Sequence, residues 1–284
     1  MKVWIAGANG QLGTALLKHL DCEEYHVLKT DMDIDIRQMA AVSRFAEMSR
    51  PNVVINCAAM THMRRCEENR VEAYRVNALG ARNISAAARM VGAKIIQMST
   101  DDVFGSAEKG LLTEFDPAEP VTVYGKSKLA GEMLVRELNP KHLVIRSSWL
   151  YGGGKDFVAD LIRSVRAGRT VEAATDQISS PTSVDALAKC IICLMNSPEY
   201  GVYHIACQGK CSRYDFAKAV LEELDLDTSL LKPVTLAKMT ADDGNQRPLY
   251  TPLENLMLEM TGIYSMPDWK SALKDYLKEP EVNA

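Results

Sequence analysis

Three absences narrow what this chain of 284 residues can be. No apolar run approaches the roughly 18 residues of a membrane-spanning helix, so no membrane partner is expected. No dense basic stripe is present and the formal net charge is −4, which argues against nucleic acid as a partner. The chain opens Met-Lys-Val-Trp-Ile-Ala-Gly, straight into strand-forming residues and without the pattern of a secretory leader, so the expected location is cytoplasmic. An even set of cysteines is also missing. The count is seven, which argues against a disulfide framework. The spacing of Cys190, Cys193, Cys207 and Cys211 superficially resembles a four-thiolate zinc site. Its first pair, however, lies in Ala-Leu-Ala-Lys-Cys-Ile-Ile-Cys-Leu-Met, an apolar helical context where cysteine behaves as a small hydrophobe, and no metal is expected. Repeats, low-complexity tracts and flexible linkers are absent as well.

What is present is a regular alternation. Segments 2–6, 25–30, 52–57, 94–99 and 142–147 read as short apolar strands. Between them, 11–20, 37–48, 68–91 and 127–138 read as helices. Near-continuous apolar strands alternating with helices predict an α/β fold of the Rossmann type, a doubly wound parallel sheet covered on both faces. After about residue 151 the rhythm loosens, and 151–284 is expected to form a smaller C-terminal lobe with parts returning to the first unit, 1–150. Helices are expected there over 157–165, 183–195, 213–224 and 268–277, with strands over 201–206 and 231–235. At 47% hydrophobic residues, the chain can bury a core of that size.

Gly7, Gly10 and Gly13, with Asn9, Gln11 and Leu12 between them, follow the first strand and open the first helix. In that context glycines permit a tight turn, close approach of backbone to a pyrophosphate, and packing of helix on sheet. The helix N-terminus offers unpaired N–H groups to phosphate. Asp31, at the end of the second strand, can accept from adenosine ribose hydroxyls and would repel a 2′-phosphate, so NADH is favoured over NADPH. Asp33 and Asp35 crowd it, and a solvated loop acid is the alternative. Asn56, Cys57, Ala58 and Ala59 end the third strand with small residues that a flat cofactor can approach. Asn77 reads either as an amide bracing backbone or as ordinary helix packing.

Tyr124-Gly-Lys-Ser-Lys128 is the most informative stretch. On a helix, positions i and i+4 share a face, so a phenol and an ammonium become neighbours. The ammonium is expected to lower the phenol from its free value of about 10 toward neutrality. Such a tyrosine can protonate a carbonyl oxygen as hydride reaches the carbon, which is nicotinamide-dependent reductase chemistry. Thr100, in Ser99-Thr-Asp-Asp102 at the end of the fourth strand, can hold the same oxygen.

These motifs, with Arg146-Ser-Ser-Trp149-Leu-Tyr-Gly152, Asp176-Gln-Ile-Ser-Ser-Pro-Thr182 and Arg247-Pro248 after them, resemble the extended short-chain dehydrogenase/reductases. Within that superfamily the chain resembles the dTDP-4-dehydrorhamnose reductase family over almost its whole length. The resemblance implies that Thr100, Tyr124 and Lys128 are catalytic, with Lys128 also bonding the nicotinamide ribose. It implies an NAD(P)-binding unit over 1–150 and a nucleotide-sugar-binding lobe over 151–284. Trp149, Asp101, Asp102, Gln177 and Arg247 would then face the nucleotide sugar. The implied reaction reduces the 4-keto group of dTDP-4-dehydro-6-deoxy-L-mannose to dTDP-L-rhamnose. An epimerase or dehydratase that keeps its NAD, and a non-catalytic regulatory relative, are the alternatives.

Three positions depart from the family pattern. Asp102 stands where tyrosine is usual, and Arg64 where an acid is usual. Ala15 occupies a place where some members carry a magnesium-binding glutamate at a dimer interface, so no metal is expected and monomer and homodimer both stay open. Arg64 and Asp102 are candidates for a compensating ion pair.

Overall fold

The computed structural model describes all residues except 21–22, 107–109, 242–246, 280–281 and 283–284. Six parallel strands form the central sheet: β1 (Lys2–Ala6), β2 (His26–Thr30), β3 (Val53–Asn56), β4 (Lys94–Thr100), β5 (His142–Ser147) and β6 (Gly201–His204). Their spatial order is β6-β5-β4-β3-β1-β2. The chain runs from β1 outward to β2, then returns past β1 to begin β3. Winding reverses between β1 and β3, and in open α/β sheets ligands bind beyond the strand carboxyl ends at such a point.

The strands are buried on both faces because successive side chains supply two different cores. Val3 and Ile5 face Leu12 and Leu16 of α1 (Gln11–His19), whereas Trp4 and Ala6 join Val42 and Ala46 of α2 (Met39–Ser49). That second core also takes Ile84 of α3 (Ala81–Met90) and Val135 of α4 (Val123–Leu138). The first core takes Val158 of α5 (Phe157–Arg166), Leu187 of α6 (Val184–Asn196) and Phe216 of α7 (Arg213–Glu223). The expected doubly wound α/β architecture is met. Among the described residues no three His, Cys, Asp or Glu side chains converge as a metal site requires, and no helix is long and apolar enough to cross a membrane.

Two segments differ from the sequence reading. The helix expected over 68–91 runs without interruption from Arg70 to Met90, but it widens into a π-helical turn over Arg75–Gly80 between Arg70–Tyr74 and α3, and a separate short helix, Met63–Glu68, precedes it. The wide turn lies where α4 comes closest, since a Cβ on Gly131 would meet the Asn77 carbonyl oxygen at 2.3 Å. Helix α4 starts at Val123 rather than 127, because the Thr122 hydroxyl accepts from the Gly125 N–H at 2.9 Å and caps it. Tyr124 is thereby placed in the first helical turn.

Candidate active site

The glycine turn closes the gap between β1 and β3. Gly7 has φ of +78°, and a Cβ there would lie 2.6 Å from the Ala58 nitrogen. A Cβ on Gly13 would lie 2.6 Å from the carbonyl oxygens of Gly7 and Ala8. Only glycine allows this backbone-on-backbone contact, which leaves the first N–H groups of α1 pointing past Gly10. The N–H groups of Gly7 and Ala8 both donate to the Thr30 oxygen, at 2.9 and 3.0 Å. One Asp31 carboxylate oxygen accepts from the Asn9 N–H at 3.0 Å. Asp31 is thus no free loop acid, since it holds the turn to the tip of β2. Two side chains in the motif face elsewhere. Leu12 is buried in the core, and Gln11 reaches the Lys155 carbonyl and the Asp156 carboxylate, both at 3.3 Å. Leu12 can meet a cofactor only through its backbone.

Across the crevice, the residues after β3 are pinned to α4. Asn77 is a bracing amide: it accepts from the Met60 N–H at 2.8 Å and donates to the Met60 oxygen at 3.0 Å and to the Ser127 hydroxyl at 2.9 Å. Cys57, Ala58 and Ala59 therefore lie between the glycine turn and the helix that carries Tyr124 and Lys128. Burial pushes the Cys57 thiol up to about 12, while the Lys128 ammonium beside it pulls the other way.

Lys128 is buried, and its ammonium donates to the Met98 carbonyl at 2.6 Å. Burial lowers its pKa to about 8, opposed by Glu132 one turn on and by Cys57. Glu132 is itself fully buried against Arg146, with contacts of 2.8 to 3.2 Å, and accepts from Ser99. Tyr124 stands beside the end of β4 because Gly125 packs on the Asp102 carbonyl, where a Cβ would come within 2.0 Å. The Thr100 hydroxyl accepts from the Asp102 N–H at 3.2 Å and also acts on the Tyr124 phenol.

The expected acidification of Tyr124 by Lys128 is not found. Burial, followed by the charge of Asp102, raises the phenol well above its free value, and a Thr100 hydrogen bond only partly offsets this. The ammonium is turned toward the Met98 carbonyl on β4, and burial is the largest influence on both groups.

Beyond the end of β4, Asp101 is a structural hub. Its Oδ2 accepts from Ser148 and Ser179 at 2.8 Å and from Thr251 at 2.7 Å, and its Oδ1 accepts from Thr100 at 3.2 Å. Its carboxylate is occupied tying four segments together. Asp102, next to it, is half-buried, and its pKa is raised by burial and by Asp101, against the pull of Arg247 and Arg213. The proposed Arg64–Asp102 pair does not form, because Arg64 bonds Glu68 at 3.0 Å. Trp149 is no core residue; it is half-exposed, in a left-handed backbone conformation with φ of +41°. The Arg213 guanidinium lies 3.5 Å from its ring centroid. Gln177 contributes its carbonyl, which accepts the Arg213 N–H at 3.0 Å. Arg247 has a buried Nε without a partner.

Sequence reasoning missed Arg213. It follows Ser212, whose hydroxyl caps α7 by accepting from the Asp215 N–H at 3.0 Å, so locally it looks like any solvated arginine at a helix start. A cavity of about 1300 Å³ lies elsewhere: it runs along α1 past Gln11, Thr14 and Lys18 to Arg163, and Thr100, Tyr124 and Lys128 do not line it.

With this geometry in place, comparison with known proteins decides the family. Residues 1–282 match the family model described as RmlD substrate binding domain. The chain belongs to the RmlD family. A solved dTDP-4-dehydrorhamnose reductase from Clostridium acetobutylicum is 41% identical, with a TM-score of 0.92 and 98% of each chain covered. Another, from Bacillus anthracis in complex with NADP, is 37% identical with a TM-score of 0.94, covering 98% of this chain and 99% of the other. The spore coat polysaccharide biosynthesis protein SpsK of Bacillus subtilis is 36% identical over 98% of this chain and 97% of its own length. The short-chain-type oxidoreductase expected from Tyr124 and Lys128 is therefore met at the level of the RmlD family.

Proposed function

We propose that this chain uses a nicotinamide dinucleotide to reduce the 4-keto group of a dTDP-activated 6-deoxysugar, with dTDP-4-dehydrorhamnose the best-supported substrate. The observation that carries the reading is the grouping of Thr100, Tyr124 and Lys128 with Cys57 and the Gly7–Ala58 contact beside it, at the reversal point of the sheet. The residues fit the cofactor. Gly7 and Gly13 have no room for a Cβ, the start of α1 offers free N–H groups, and Asp31 keeps one carboxylate oxygen beyond the Asn9 bond.

When bound, the dinucleotide supplies hydride. The remaining chemistry belongs to the chain. Reduction of a ketone needs a proton at the oxygen, and the buried phenol keeps its proton at neutral pH, so Tyr124 can donate it as the oxygen gains negative charge. Thr100 donates to the same oxygen and holds it in line. Lys128, still mostly ammonium below about pH 8, stabilises the phenolate left behind. Asp31 favours NADH, because a 2′-phosphate would meet its charge, although the Bacillus anthracis relative was solved with NADP. Residues from the 151–284 lobe, Gln177, Arg213 and Arg247 among them, face the nucleotide sugar, supported by their place around Trp149 and Asp102.

The test is absorbance loss at the reduced-nicotinamide band with dTDP-4-dehydrorhamnose, following NADH and NADPH separately. Stoichiometric consumption supports the reading. Conversion of the sugar without net consumption would assign a retained-NAD epimerase or dehydratase instead.

A further inference from the structure

Three polar atoms shut away from solvent have no hydrogen-bond partner among the described residues and belong to side chains that meet: Arg146 Nη1, Glu114 Oε2 and His204 Nε2. Arg146 on β5 and His204 on β6 are register partners in parallel strands, so both side chains leave the same face of the sheet. Both are buried, and the Phe104 ring packs against each, 5.1 Å from the guanidinium carbon and edge-on to the imidazole at 5.6 Å between centroids. Glu114 Oε1 accepts from the His204 N–H at 2.8 Å and from the Met257 N–H at 3.2 Å, which carries the other carboxylate oxygen to the same place. The Arg146 charge acts on both Glu114 and His204, yet its Nε and Nη2 are spent on Glu132 and it forms no ion pair with Glu114.

The hydrogen-bonding role of each atom follows from its surroundings. His204 Nδ1 faces the carbonyl oxygens of Leu112 and Glu254, at 3.0 and 3.1 Å, so Nδ1 carries the ring proton. Burial, and after it the Arg146 charge, lowers this histidine to about 3, which leaves a neutral ring with Nε2 as a bare acceptor. Burial raises the Glu114 carboxyl, opposed by the N–H groups on Oε1 and by Arg146. Its Oε2 is an acceptor when ionised, and Arg146 Nη1 is only a donor. A cation among these atoms would meet the guanidinium, and an anion would meet the carboxylate. An apolar group would leave all three unsatisfied. A neutral molecule that both donates and accepts suits the set, and three bonds is the usual number for a buried water.

We propose that Arg146, Glu114 and His204 form a binding site for one water molecule, which accepts from Arg146 Nη1 and donates to Glu114 Oε2 and His204 Nε2. That water joins the Glu132–Arg146 pair, one helical turn from Lys128, to the segment that leads from Phe104 toward the Thr122 cap of α4. A polar separation too long for a direct bond is thereby closed at little loss in hydrogen-bond strength.

A high-resolution crystal structure of the full chain tests this first. The expected result is one isolated density peak within about 2.7–3.2 Å of all three atoms. Direct bonding of Arg146 Nη1 to Glu114 or His204 overturns the inference, and so does an ion at the site or the absence of a peak. In solution, oxygen-17 relaxation dispersion counts long-lived internal waters. His204→Phe removes the Nε2 acceptor and is expected to lose one such water relative to wild type; an equal count overturns the inference. If His204→Phe fails to fold, the wild-type density decides.

Discussion

The ammonium of Lys128 donates to the Met98 carbonyl at 2.6 Å, so the charge next to Tyr124 is anchored to the strand that ends in Thr100. That bond ties helix α4 to strand β4, and with them Tyr124 and Lys128 to Thr100. Because Lys128 is buried and its pKa is lowered to about 8, its charged form is present below that value and lost above it. Turnover in the reducing direction is expected to be level through neutral pH and to fall as pH rises through about 8. Lys128→Met should remove that limb and lower kcat by about 10²-fold or more, measured as a pH series of single-turnover rates.

The Glu132–Arg146 pair is expected to be required for folding rather than chemistry. Either partner alone would be an uncompensated buried charge, so Glu132→Gln or Arg146→Met should cost about 3–5 kcal/mol. Changing both together should recover much of that loss. Urea unfolding of the two single variants and the double variant checks this, and simple additivity would contradict it.

Asn77 is expected to hold the residues between the glycine turn and α4. Asn77→Ala leaves the Met60 N–H and carbonyl without their partners, at a cost of about 1–3 kcal/mol. Because those residues line the crevice, affinity for the dinucleotide should fall with stability. Thermal unfolding with and without the dinucleotide separates the two effects.

Asp31 is expected to govern the choice between the two dinucleotides. Asp31→Ser removes the charge and retains a hydroxyl for the Asn9 N–H, so the ratio of kcat/KM for NADPH to that for NADH should rise about tenfold. An unchanged ratio would reduce Asp31 to a brace for the turn.

Much of this was legible locally. Apolar strands, the glycine spacing and the i,i+4 relation of Tyr124 and Lys128 depend on neighbours in sequence, and the structure has the helix and strands where those patterns lie. What was not legible depends on distant segments meeting. The structural role of Asp101 emerges only once Ser148, Ser179 and Thr251 surround it. Arg213 gained meaning only beside Trp149, and the π-helical turn in the expected 68–91 helix only against Gly131. The sign of the Tyr124 shift was misjudged for the same reason, since spacing reports a charged neighbour but not the depth of burial.

The central claim is that the Tyr124 hydroxyl gives the proton. Tyr124→Phe removes that oxygen alone, and the account expects kcat with dTDP-4-dehydrorhamnose to drop by about 10²- to 10⁴-fold while dTDP and dinucleotide affinities stay within about twofold. Turnover near the wild-type rate in that variant would contradict it.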